Sequence, residues 1–190
     1  MGYVCIKAFA SISYLSYFNS YFCIIENINR LGMLMSKKNL YRPNVAMIIV
    51  SNNYPEKKEI FIAKRNDLDD VWQFPQGGID EGEEIQEALF RELEEEIGTH
   101  KAKIVAEYPK WISYDFPPKI AKKMKPYKGQ NQRYFLMKLK KSAEINLATE
   151  HPEFDDYKFV SVDEVLNLTS HFKKPVYKKV IKYFKKEGLL

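Results

Sequence analysis

Cysteine is nearly absent from this chain, with only Cys5 and Cys23 among 190 residues, both near the N-terminus. Everything beyond them must fold without a disulfide or a thiolate metal site, which points to a reducing, cytoplasmic setting. Histidine is almost as scarce. His100, His151 and His171 stand far apart, with no His-x-x-x-His pair and no neighbouring cysteine, so the usual zinc spacings are excluded and surface positions are expected. No long apolar run is present either. The uncharged stretch Ala8 to Ile25 is shorter than the roughly 20 apolar residues a membrane span needs, and Ser11, Ser13, Ser16, Asn19 and Ser20 interrupt it. Lys7 precedes it, but no A-x-A-like cleavage site follows, so neither export nor stable membrane association is expected. Internal repeats and low-complexity tracts are missing as well.

What remains is a soluble globular composition, 45% hydrophobic and 29% charged, in a length that suits one domain. The first 34 residues are of another kind, rich in Tyr, Phe, Ser and Ile. They are expected to be a tail or a mis-assigned start, because Met33 and Met35 both precede the globular patterning that begins at Tyr41-Arg42-Pro43-Asn44; the domain is expected over 35–190. The aromatic share of 14% supplies stacking surfaces as well as core. The formal charge of +5 is unevenly placed. Acid gathers in Asp80 to Glu96 and base in Lys119 to Lys128 and Lys173 to Lys186, a distribution suited to an acidic metal site flanked by polyanion-binding ground.

Val45 to Val50 and Glu59 to Lys64 are apolar runs separated by Asn52-Asn53-Tyr54-Pro55, which predicts two adjacent strands in a hairpin. Trp72-Gln73-Phe74-Pro75-Gln76-Gly77-Gly78 suits a short strand running into a loop that bends closely around something. Ile85, Leu89, Leu93 and Ile97 recur at helical spacing, with Gly98 as the C-cap. Further strands are expected at Lys103 to Tyr108, Arg133 to Leu139 and Lys158 to Val162. A last helix starts near Pro175, buries Tyr177, Val180, Ile181 and Phe184, shows lysine outward and ends at Gly188. Phe116 to Lys128 is the expected mobile loop. A mixed sheet with helices on both faces follows, an α+β chain layered as an α/β/α sandwich.

On the first helix Glu92, Glu95 and Glu96 crowd onto one face, and like charges at these spacings repel. All-oxygen ligands select a hard divalent cation, Mg²⁺ or Mn²⁺, over zinc. Arg91 is the only nearby positive charge on the acidic part of the helix. Its reach takes in Glu87 behind it or Glu95 ahead, so it can orient a ligand.

With Gly77, Glu83, Arg91, Glu92, Leu93, Glu95, Glu96 and Gly98 in register, the stretch resembles the Nudix box of hydrolases acting on nucleoside diphosphates linked to a further moiety. Gly78 continues the glycine turn at its start. Thr99 departs from the pattern, where an aliphatic residue is usual, with an expected effect on helix packing rather than on metal binding. Beyond the box, Tyr41-Arg42-Pro43-Asn44-Val45, Trp72 to Gly78, Gln130-Asn131-Gln132-Arg133-Tyr134-Phe135 and Pro152-Glu153-Phe154 resemble the bacterial RNA pyrophosphohydrolases and their dinucleoside polyphosphate hydrolase relatives.

The resemblance implies the Nudix fold and removal of pyrophosphate from 5′-triphosphorylated RNA, leaving a monophosphate end and promoting RNA decay. Glu92, Glu95 and Glu96 match its metal-ligand positions, and Glu153 matches a distal glutamate that joins the metal cluster or serves as general base. Arg91, Glu95, Glu96 and Glu153 are thus the implied catalytic set. Arg42 and Arg65 match phosphate-contacting positions, Phe172 an aromatic that stacks on an RNA base, and Lys173 a phosphate-directed lysine. The same site suits a dinucleoside polyphosphate; a non-catalytic nucleotide- or RNA-binding module is the remaining alternative.

Overall fold

The structure, a computed structural model, describes residues 40–169 and 172–190. The expected tail over 1–34, and the expectation of a surface position for His171, lie outside the described residues.

Two long strands form the spine. β1 (Tyr41–Val50) and β7 (Gly129–Leu139) run parallel in unbroken register from Tyr41↔Gly129 to Val50↔Lys138. β1 is rich in β-branched residues, β7 carries Tyr134 and Phe135 with Leu136, Met137 and Leu139, and β1 is buried from Asn44 to Val50, as a central strand covered on both faces should be. β2 (Ile60–Arg65) meets β1 only at Val50↔Ile60, so the expected hairpin forms at its closed end and the strands then diverge. The Trp72–Gly78 segment fills the opening. Its β3 (Trp72–Gln73) pairs antiparallel with β2 and its β4 (Gln76–Gly78) with Asn44 to Ala46 of β1. On the other edge of β7, β5 (Ala102–Glu107) covers the C-terminal half and β6 (Ile112–Asp115) the N-terminal half, while β8 (Phe154–Val160) pairs along β2.

Side-chain alternation splits the core in two. Val45, Met47, Ile49, Phe61, Phe135 and Met137 point to one face, where α1 (Ile85–Ile97) seats Ala88, Leu89, Leu93 and Ile97. Ala46, Ile48, Ile60, Ile62, Tyr134 and Leu136 point to the other, under Val165 of α3 (Val162–Leu168) and Val176, Tyr177, Val180, Ile181 and Phe184 of α4 (Lys174–Lys186). This is the expected α/β/α layering around a mixed sheet. Ile85, read as part of the buried stripe, lies only half-buried at the helix entrance.

Three local differences from the sequence reading have physical causes. The segment read as a mobile loop contains a short helix, α2 (Pro118–Lys123), begun by the Pro117-Pro118 pair. β6, just ahead of it, is too short to carry a readable alternation. The strand expected at Lys158 to Val162 starts earlier, at Phe154, because Phe154 and Asp156 to Lys158 pair along β2, Asp156 with Lys64, so Glu153 stands immediately before a strand. Among the described residues no helix is long and apolar enough to cross a membrane.

Candidate active site

The divergence of β1 from β2 places the Trp72–Gly78 segment beside α1, and the close contact depends on Gly77. A Cβ at Gly77 would lie 1.7 Å from the Glu92 carboxyl carbon, and one at Gly78 would lie 2.2 Å from Nη2 of Arg42. Only the absence of side chains lets the loop backbone meet the helix carboxylate and the guanidinium this closely. Gly98, at φ 71°, closes the helix through its N–H to Glu94 O, and a Cβ there would sit 2.5 Å from Asn146 O.

Arg91 organises the acidic end. Its Nε and Nη2 donate to the two oxygens of Glu83 at 2.7 and 2.8 Å, its Nη1 to Glu92 at 2.8 Å and Glu95 at 3.2 Å, and its Nη2 also to Gly78 O at 2.9 Å. This fork holds the Glu83 carboxyl down to about 2. Glu87, one of the two partners expected for Arg91, instead accepts from the Glu84 N–H in a capping box.

Glu96 is the buried member. Its Oε2 accepts the Gln76 N–H at 2.6 Å, whereas Oε1 is buried with no hydrogen-bond partner. Burial first, and then the charge of Glu153, push its carboxyl well above the ordinary range; burial also raises Glu92. Glu95 is more than half exposed, and Glu153, about half exposed, accepts from Arg65 Nη1 at 3.0 Å. Arg65 also holds Asp67 at 2.7 Å. With Arg91 and Arg65 drawing on Glu92, Glu95 and Glu153, no three carboxylates among the described residues converge into a ready-made metal cage.

These groups surround a cavity of about 670 Å³. Arg42, Arg65, Glu92, Glu95, Glu153, Phe172 and Lys173 all line it, so the structure brings the sequence-assigned residues together, with Glu96 buried behind the wall through Gln76. Lys173 is 7% exposed, and its ammonium donates to Gln73 Oε1 at 2.9 Å and Gln76 Oε1 at 2.7 Å. Burial, with Arg65 adding repulsion, lowers it to about 7. Phe172 lies 5.6 Å from Tyr114, ring to ring, in an aromatic wall continued by Phe116. Thr99, the departure from the box, is buried just beyond the end of α1 and accepts the Lys101 N–H.

A polar layer beneath the cavity was missed by sequence reasoning. Gln132 donates to Asn44 at 2.6 Å and to Gln76 at 3.0 Å, and Gln76 donates to Gln130 at 3.2 Å. Amides at alternate positions of β7, where apolar residues should stand, were the available signal.

The glycine turn, the arginine fork and the glutamate-bearing helix are thus one unit, and the NUDIX domain model matches residues 40–184. The chain belongs to the Nudix family. Its relatives include proteins named RNA pyrophosphohydrolase from Campylobacter jejuni, 60% identical over 82% of this chain and 100% of the relative. Others of that name come from Nitratiruptor, 63% identical over 80% and 98%, and Helicobacter pylori, 54% identical over 79% and 97%. Among solved structures, the Escherichia coli dihydroneopterin triphosphate pyrophosphohydrolase aligns with a TM-score of 0.61 at 18% identity, over 77% of this chain and 97% of that one. A Caenorhabditis elegans Ap4A hydrolase complex aligns at 0.55 and 16%, over 75% and 98%. At such identities these two speak for the Nudix fold alone. Nudix hydrolases generally need divalent metals, and the orphaned Glu96 oxygen among hard oxygen donors fits that requirement.

Proposed function

We propose that this Nudix hydrolase removes pyrophosphate from 5′-triphosphorylated RNA, leaving a 5′-monophosphate end and thereby promoting RNA decay. The observation that carries the reading is 60% identity over the whole length of relatives bearing the name RNA pyrophosphohydrolase. The cavity is consistent with it, since carboxylates and phosphate-binding cations face one another across a space with an aromatic wall.

Glu92, Glu95, Glu96 and Glu153 are the residues that would hold the cation, Mg²⁺ or Mn²⁺. When bound, such an ion supplies neutralisation of phosphate oxygens and a more acidic water. Arg91 orients Glu92 and Glu95 through its contacts to both carboxylates. Arg42, Arg65 and Lys173 take the phosphate oxygens, and Phe172 stacks on a base. Glu153, half-exposed on the cavity wall, has room to meet the attacking water. Water adds at phosphorus, the anhydride bond to the departing pyrophosphate breaks, and the proton of the water leaves through a carboxylate. An RNA substrate and a chain almost free of cysteine both suit the cytoplasm.

Product analysis on 5′-triphosphorylated RNA with Mg²⁺ tests the reading. Pyrophosphate and 5′-monophosphate RNA are expected. A strong preference for diadenosine tetraphosphate would place the chain among dinucleoside polyphosphate hydrolases, and binding without turnover would make it a non-catalytic module.

A further inference from the structure

The last helix carries a feature that neither its packing nor the cavity requires. α4 reads KPVYKKVIKYFKK, with six lysines and no carboxylate in thirteen residues. Val176, Tyr177, Val180, Ile181 and Phe184 are buried, while Lys174, Lys178, Lys179, Lys182, Lys185 and Lys186 are exposed. At 100° per residue the six fall within one arc of about 140°. A face selected for solubility would alternate signs and gain from i,i+4 pairs. Here Lys174, Lys178 and Lys182 follow one another at i,i+4 and repel. Among the described residues only Lys185 has an acidic partner, Asp163 at 3.1 Å. Lys174 also sits at the helix N-terminus, where the dipole disfavours a cation.

The position of this face gives it a use. α4 starts directly after Phe172 and Lys173, which line the cavity, so the lysine stripe begins at its mouth and runs the helix length, about 20 Å. Along the i,i+4 row of the stripe, Lys174, Lys178, Lys182 and Lys186 are about 6 Å apart along the axis, a spacing that lets a flexible single strand meet each in turn.

We infer that the exposed face of α4 is a track for the phosphate backbone of the RNA beyond the nucleotides held in the cavity. The inference rests on the RNA reading above and extends it: the enzyme distinguishes long 5′-triphosphorylated RNA from short by electrostatic contacts along α4, without reading sequence.

The test compares the full chain with its K178E/K179E/K182E and K178Q/K179Q/K182Q variants, the glutamine set guarding against a folding defect from charge reversal. Substrates are a 5′-triphosphorylated trinucleotide, a single-stranded 5′-triphosphorylated RNA of about 20 nucleotides, and diadenosine tetraphosphate. For the wild type, KM is expected to be lower for the long RNA than for the trinucleotide, and the gap should shrink with salt. In both variants KM for the long RNA rises about tenfold or more, the slope of log KM against log salt falls by about 2 for the three lost contacts, and kcat and trinucleotide KM stay unchanged. Equal KM values for the two RNAs in the wild type, or equal effects of the variants on both, overturn the track and leave the RNA reading standing. Turnover of the dinucleotide with none on either RNA overturns both.

Discussion

Arg91 spans from α1 back to the preceding loop and donates to both carboxylate oxygens of Glu83, at 2.7 and 2.8 Å, while its remaining nitrogen contacts reach Glu92, Glu95 and Gly78 O. One guanidinium therefore ties the loop entering α1, the glycine turn and two helix glutamates together. Glu83 has no place in the cavity lining. A substitution at Glu83 is therefore expected to reach the site through Arg91, with Glu83 as a positioning residue.

Glu83 consequently contributes acid-dependent stability. Its carboxyl is held at about 2, below an ordinary 4.5, so the contribution is fully present above pH 4.5 and is lost as pH falls towards 2. Glu83→Gln should cost about 1–3 kcal/mol at pH 7, allowing for partial solvent screening of the pair. It should also flatten the fall in stability between pH 4.5 and 2. Urea melts of both proteins across that range check it; parallel pH profiles would refute the linkage.

Glu96 behaves in the opposite sense. Burial raises its carboxyl, so folding of the metal-free protein takes up a proton above pH 4.5 and stability declines as pH rises through the window up to the raised value. Glu96→Gln should remove that decline and leave the metal-free protein at least as stable as wild type at pH 8. Mg²⁺ should raise the melting temperature of wild type more than that of the variant, whose turnover falls by roughly a thousandfold or more. An equal metal response in the two proteins would remove Glu96 from the ligand set.

Much of this was legible before the fold. The i,i+4 stripe Leu89, Leu93 and Ile97 and the apolar runs around Val45 and Phe61 report the layers directly, because burial on both sheet faces enforces them. The glutamates of α1 were readable for the same reason: a helix fixes their relative directions. Contacts made across the loop were not. A spacing of four residues offers Arg91 Glu87 and Glu95, whereas Glu83, its bidentate partner, lies before the helix where no period applies. The amides of Asn44, Gln76 and Gln132 are joined only when β4 and β7 flank β1, a long-range pairing with no local trace. Asp67, the second partner of Arg65, sits in a short connection without periodicity.

Gly77 is a steric requirement of the site. Gly77→Ala would bring a Cβ to 1.7 Å from Glu92 Cδ, and the side chain that yields is the flexible carboxylate end rather than the core. Turnover should drop more than about tenfold, while stability falls by only about 1 kcal/mol. Paired kinetic and thermal measurements check this. A large loss of stability with activity retained would mean that the backbone, not Glu92, absorbs the clash.

Lys173 offers the sharpest pH test. Its ammonium, ordinarily titrating near 10.5, is brought to about 7 by burial and by Arg65. Between pH 7 and 10.5 the unfolded chain holds a proton that the folded chain has released, so this group makes stability rise with pH across that window. Lys173→Met should flatten the rise. A bound polyphosphate restores the charge on the lysine, so binding above pH 7 should take up close to one proton, seen in calorimetry as a heat that depends on the ionisation enthalpy of the buffer. The variant should lose that uptake and show a KM raised roughly tenfold to a hundredfold, the range for one buried charge-assisted contact. Uptake unchanged in Lys173→Met would assign the proton to another group and leave Lys173 a structural partner of Gln73 and Gln76.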